Sequence, residues 1–190
     1  MRKLKLQVQM TLDGYMTGPN NELDWMNREW NEDHMKYVKE LTHSIDTILL
    51  GRKMTDGFIS YWTNALTKPE SKEYEFAKLM IDTPKIVFTK TLSESKWPNT
   101  QIAKGDLADE VNKLKQQQGK DIIVYGGVSF DSSLMKAGLI DELHLFINPV
   151  AIGNGMTIFK DLNEVQKFTL VKSIAFDCGI VVLHYESKRA

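Results

Sequence analysis

Strand-like and helix-like stretches alternate along the first two thirds of the sequence, and then the helices stop. "KLKLQVQM" (Lys3 to Met10) alternates with period two and reads as a strand that ends in the Gly, Pro and Asn cluster of "DGYMTGPNN". Asn31 before Glu32 and Asp33 has the form of a helix cap followed by acids, and Met35, Val38, Leu41 and Ile45 continue at helical spacing. "DTILL" is a short apolar strand leading through Gly51 into a helix from about Arg52, and a further helix is expected from near Ser71. After the strand "KIVFTK" (Lys85 to Lys90), "DLADEVNKLKQQQG" sets Asp106 as cap, Leu107, Val111 and Leu114 on one face and Gly119 as stop. "DIIVYGG" is another strand running into a helical pattern.

Such an order demands crossover connections and a mainly parallel sheet. The final third breaks the rule. "ELHLFINPV", "KFTLVKSIAF" and "IVVLHYE" are strands with no helix between them, and "DCG" joins the last two as a hairpin. The expected fold is therefore α/β, one mixed, mainly parallel sheet with a C-terminal antiparallel hairpin. No repeat and no Pro, Gly or Ser rich linker divides the chain, so residues 1 to 190 read as one domain.

Composition narrows the function classes. A net charge of -1 gives no electrostatic call for nucleic acid or an anionic membrane, so any anionic ligand must be held by local groups. The single cysteine, Cys178, forms no internal disulfide framework and suits a reducing cytoplasm. The opening "MRKLKLQVQM" lacks the apolar run of a signal peptide, and no later stretch approaches a bilayer span.

Two strand-to-helix junctions carry the candidate chemistry. In "TILLGRKMT" a strand meets Gly51 and then Arg52 and Lys53 at the mouth of a helix; in "IIVYGGVSF" a strand meets Gly126 and Gly127, then Val128 and Ser129. Ligands of open α/β sheets sit at the carboxyl ends of strands, so both junctions can face one elongated ligand such as a dinucleotide. Arg52 and Lys53 would hold a phosphate monoester with helix-start amides, and the glycine pair would admit a pyrophosphate. The plain alternatives stay open: the glycines turn the chain, and Arg52 with Lys53 is a solvated basic pair. Neither junction has the GxGxxG fingerprint of a standard dinucleotide site.

"TLDGYMTG", "LLGRKMT", "VFTKTL", "YGGVSF" and "GLIDELHLFINPVAIGNGMTIF" together resemble the dihydrofolate reductase superfamily, and most closely the reductase domain of bacterial riboflavin biosynthesis. The resemblance runs from about Lys3 to Tyr185. It implies a single three-layer α/β/α domain that binds NADPH, reduces a small-molecule substrate and forms a homodimer. On that resemblance Gly126 and Gly127 are the pair beside the cofactor pyrophosphate, with Val128 and Ser129 supplying amides. Gly51, Arg52, Lys53 and Met54 grip the 2'-phosphate side, Thr89 and Lys90 lie next to the adenosine, and Asp13 is the first-loop aspartate near the cofactor. The segment Asp13 to Asp24 is expected to act as a lid.

The implied reaction is hydride transfer from NADPH, closest to reduction of 5-amino-6-(5-phosphoribosylamino)uracil. Dihydrofolate or pterin reduction, and a nucleotide-binding module without turnover, are the alternatives. Tyr125 stands where the riboflavin reductases carry a glutamate, and their substrate-phosphate arginines are not recognisable. Asp24 is the nearest match to the acid that protonates pterin in dihydrofolate reductases; its ordinary reading is a helix cap or surface acid with Trp25 and Trp30 packing nearby. His34, His43, His144 and His184 show no HExxH pattern and no cysteine partner at metal spacing, so no metal site is expected.

Overall fold

The computed structural model describes residues 1–28 and 31–188; Trp30 falls outside them. Thirteen elements follow in the order β1 (Leu4–Met10), α1 (Glu32–His43), β2 (Ile45–Gly51), α2 (Arg52–Ala65), α3 (Tyr74–Asp82), β3 (Lys85–Phe88), β4 (Thr100–Ala103), α4 (Leu107–Gln116), β5 (Asp121–Gly126), α5 (Val128–Lys136), β6 (Glu142–Ile147), β7 (Phe168–Ala175) and β8 (Val181–Ser187). The caps read from sequence are in place. Asn31 accepts from the His34 amide at 3.0 Å and Asp106 from the Ala108 and Asp109 amides, each satisfying donors that the first helical turn leaves over.

The strands form one sheet in the order β4-β3-β2-β5-β1-β6-β8-β7. Every pair from β4 to β6 is parallel, and β8 is antiparallel to both β6 and β7, so the mixed sheet with a C-terminal antiparallel hairpin is as expected. Alternation of side chains divides β1 cleanly. Leu4, Leu6, Val8 and Met10 join α4 and α5 in one apolar cluster, whereas α1, α2 and α3 cover the other face over Ile48, Leu50, Val87, Ile123 and Phe146. Full burial of each such side chain stabilises by about 1.5–3 kcal/mol, which makes the two faces the main source of fold stability.

Several details depart from the sequence reading, among them Ile45, which opens β2 instead of continuing α1. The third helix begins at Tyr74 rather than near Ser71, after a tight turn in which the Ser71 amide donates to Lys68 O. The fourth stops at Gln116 instead of continuing to Gly119. The short, partly exposed β4 carries no alternation that would mark it as a strand, and it reaches β3 without an intervening helix. Strand β6 is hydrogen-bonded on both edges, to β1 and to β8. Among the described residues no helix is long and apolar enough to cross a membrane.

Candidate functional site

Parallel strands aim their carboxyl ends the same way, so Met10, Gly51, Phe88, Gly126 and Ile147 lie along one edge. Strands β2 and β5 are neighbours, with Leu50 opposite Gly126, and this brings the two glycine junctions side by side. They nearly touch. A Cβ on Gly51 would meet Phe130 Cβ at 2.8 Å and Gly126 O at 3.2 Å, so only glycine lets the junctions close up. Gly127 has φ of 97° and opens toward Met54, whose Cβ would be 3.7 Å from a Cβ there.

Both helices that start here, α2 and α5, begin from a glycine with no side-chain cap. That contrasts with α1 and α4, which carry Asn31 and Asp106. The α2 and α5 amides therefore present the positive end of a helix dipole at adjoining positions of the carboxyl edge. The first turn of α2 contains no acid, and the acid at the start of α5, Asp131, is fully buried. Neither Asp131 oxygen has a hydrogen-bond partner, and burial pushes its pKa well above the usual carboxylate range. Burial thus disfavours the charged form of Asp131, which weakens its opposition to an anion at the α5 amides.

Basic side chains border the β2 and β3 end of this edge. Arg52 is half-buried, lies 3.2 Å from Asp56 and sits over the Trp97 ring at 5.6 Å; Lys53 and Lys90 are exposed. Lys96 and the Trp97 indole both donate to Asp56, at 3.1 and 3.0 Å, and with Arg52 they hold its carboxyl below the usual range. Thr89 is buried and its hydroxyl accepts from the Thr91 amide at 3.2 Å, forming the turn after β3. Val128 and Ser129 occupy the first positions of α5, Ser129 exposed. Gly51, Arg52, Lys53, Met54, Gly126, Gly127, Val128 and Ser129 are thus brought together, with Thr89 and Lys90 one strand further on.

Asp13 and Asp24 stand apart from these junctions in their contacts. Asp13 accepts from the Gly153 amide at 2.7 Å and the Ile152 amide at 3.1 Å, which ties the first loop to the loop after β6. Its pKa is lowered, first by the Thr11 hydroxyl and then by those amides. Further bonds run from Leu12 to Val150, from Met16 to Met156 and from the Asn27 amide to buried Asn148, so a lid motion of this loop would have to carry residues 148–157 with it. Asp24 is exposed on a turn before α1 and is neither within that helix nor its cap. Tyr125 stacks on Phe58 at 5.7 Å, its hydroxyl buried without a hydrogen-bond partner.

Sequence reasoning passed over Lys96, Trp97 and Asp131. An aromatic in a loop directly after a strand, "SKWPN", was the available signal for the first two. Asp131 gave none, because an acid in the first turn of a helix is ordinarily solvated.

The model of the RibD C-terminal domain family matches residues 2–182. The uncharacterized protein YyaP of Bacillus subtilis (strain 168) is 35% identical over 187 residues, covering 97% of this chain and 94% of its own. Among solved structures, a Shewanella sp. PV-4 protein named for riboflavin biosynthesis superposes with a TM-score of 0.74 at 21% identity, covering 100% of both chains. Dihydrofolate reductase from Enterococcus faecalis, complexed with NADP(H), superposes with a TM-score of 0.61 at 13% identity, covering 98% of this chain and 97% of that one. These two likenesses concern the fold, which is that of dihydrofolate reductase.

Proposed function

The chain belongs to the RibD C-terminal domain family, and from that premise we propose that it is an NADPH-dependent reductase of a small heterocyclic or ribosylated substrate. The observation that carries the reading is the pair of uncapped, glycine-started helices α2 and α5 on neighbouring strands. Their amides fit the two phosphate positions of a dinucleotide, one at Gly126, Gly127, Val128 and Ser129 and one at Gly51, Arg52, Lys53 and Met54. Thr89 and Lys90 border the second position. Asp13 acts as a tether of the first loop against the cofactor edge.

NADPH supplies the hydride when bound. The protein contributes orientation: Arg52, steadied by Asp56 and stacked on Trp97, directs its guanidinium to a 2'-phosphate, and the glycine pair lets the backbone approach the pyrophosphate. The acid at the α5 start has its charged form disfavoured by burial, which eases that approach. Closest among substrates is 5-amino-6-(5-phosphoribosylamino)uracil, with dihydrofolate and pterins as alternatives. Asp24, exposed on the first loop, would reach such a substrate only if that loop folds inward. A homodimer and a cytoplasmic location belong to the same reading, and light scattering tests the first.

Titration with NADPH and NADH, followed by tryptophan fluorescence, and NADPH oxidation with each substrate test the proposal. Selective NADPH binding with turnover of any of the three supports it. Binding without turnover indicates a nucleotide-binding module, and no binding of either cofactor overturns the reading.

A further inference from the structure

Away from the carboxyl edge, the antiparallel pairing of β6 and β8 sets His144 directly opposite His184, one step along the same face from Glu142 opposite Glu186. Three ligand atoms converge there. His144 Nε2 lies 3.3 Å and His184 Nε2 3.5 Å from Glu142 Oε2, and the ligand atoms of all three residues lie within 4.8 Å of one another. We propose that Glu142, His144 and His184 form a binding site for a divalent transition-metal ion of the zinc class, joining the parallel sheet to its antiparallel hairpin.

The spacing is the first argument. Ligands at about 2.0–2.1 Å from a tetrahedral ion are about 3.3–3.4 Å apart, close to both separations from Oε2. The outward atoms are the second. Tyr37 Oη holds His144 Nδ1 at 2.7 Å and Lys3 Nζ holds Glu142 Oε1 at 2.6 Å, the outer contacts that orient metal ligands. A tyrosine hydroxyl donates and accepts, so Tyr37 serves either tautomer when an ion replaces the proton between His144 Nε2 and Glu142. The third is His184 Nε2, buried and without a hydrogen-bond partner although an acid stands beside it. The His184 side chain keeps 16% of its surface exposed, which gives an ion a way in.

Lys5 sets the strength of the site. Its Nζ is 3.6 Å from Oε2 and is anchored to Asp121 at 2.9 Å and Ser44 Oγ at 3.0 Å. That ammonium repels an arriving cation, so the ion binds weakly in the wild type and more tightly once the charge is gone. The imidazole rings, stacked with centroids 4.2 Å apart, splay when both Nε2 atoms turn onto the ion.

The test uses untagged, chelator-treated full-length protein and Co²⁺, whose visible absorption reports tetrahedral coordination, with Zn²⁺ competing for the same site. One equivalent of Co²⁺ should give the absorption bands and raise the thermal midpoint. His184→Gln should lose both, and His43→Gln should keep both. Lys5→Met should tighten binding roughly tenfold and Tyr37→Phe weaken it roughly tenfold. Absence of saturable bands, bands unchanged in His184→Gln, or binding that Lys5→Met leaves the same or weaker would overturn the proposal. Should His184→Gln lose the circular dichroism of the folded protein, the Lys5 and Tyr37 variants decide it alone.

Discussion

Gly126 and Asp131 compete for one volume: a Cβ on Gly126 would overlap the buried Asp131 carboxyl, and Gly126 also holds φ at 85°. The first glycine of the pair is thus occupied from inside the protein. At the second, Gly127, a Cβ would meet only Met54 Cβ, at 3.7 Å, an ordinary contact.

Gly126→Ala should therefore destabilise the fold by about 2–3 kcal/mol, the joint cost of a strained backbone and a clash. Urea denaturation measures it. Pairing the change with Asp131→Ala should return part of the loss; a double variant no better than the sum of the singles would show that the two residues do not share the space.

Asp131 makes stability depend on pH in an unusual direction. Its folded pKa is raised, so its contribution is full below the unfolded pKa of about 3.9 and is lost as pH rises toward the folded value. Asp131→Asn keeps the shape and removes the titration. The variant should melt higher than wild type at pH 8, by about 2–4 °C per kcal/mol gained, and the difference should shrink toward pH 5. Equal melting curves at both pH values would count against a raised pKa for Asp131.

His34 acts in the opposite sense. It is fully buried against Phe146 and Phe176, with ring centroids 5.3 and 5.2 Å away, and burial lowers its pKa to about 4. Below its unfolded pKa of about 6.5 the unfolded chain takes up a proton that the folded chain refuses, so stability falls between pH 6.5 and 4 by up to about 3 kcal/mol. His34→Leu should flatten that part of the curve, as chemical denaturation across the pH range would reveal.

Arg52→Ala tests the phosphate position directly. NADPH affinity should fall roughly 10- to 100-fold while NADH affinity stays within about twofold, since only the former carries the 2'-phosphate a guanidinium pairs with. An unchanged preference in the fluorescence titration would remove Arg52 from the site.

Period-two and helical spacing revealed most elements because burial on one face leaves that imprint, as in Leu4, Leu6, Val8 and Met10. Strand β4 escaped, being four residues of edge strand with no buried row behind it. At the site, glycines and basic residues were legible because each junction is contiguous in sequence. The Asp56, Lys96 and Trp97 contacts were not, since 41 positions separate the aspartate from the indole that donates to it. Glu142 and His144 share one face of β6 by alternation, but only the register of β6 on β8 brings His184 to them.

Strand β1 lies between β5 and β6, whose residues begin at Asp121 and Glu142. On the ribosome, β1 is made long before either neighbour exists. Leu4, Leu6, Val8 and Met10 stay unpaired meanwhile, a sticky template for any other unfinished strand. Yield of the folded protein should hence depend on how quickly residues 121–147 follow, and slow codons placed between the two regions would favour aggregates over native chains.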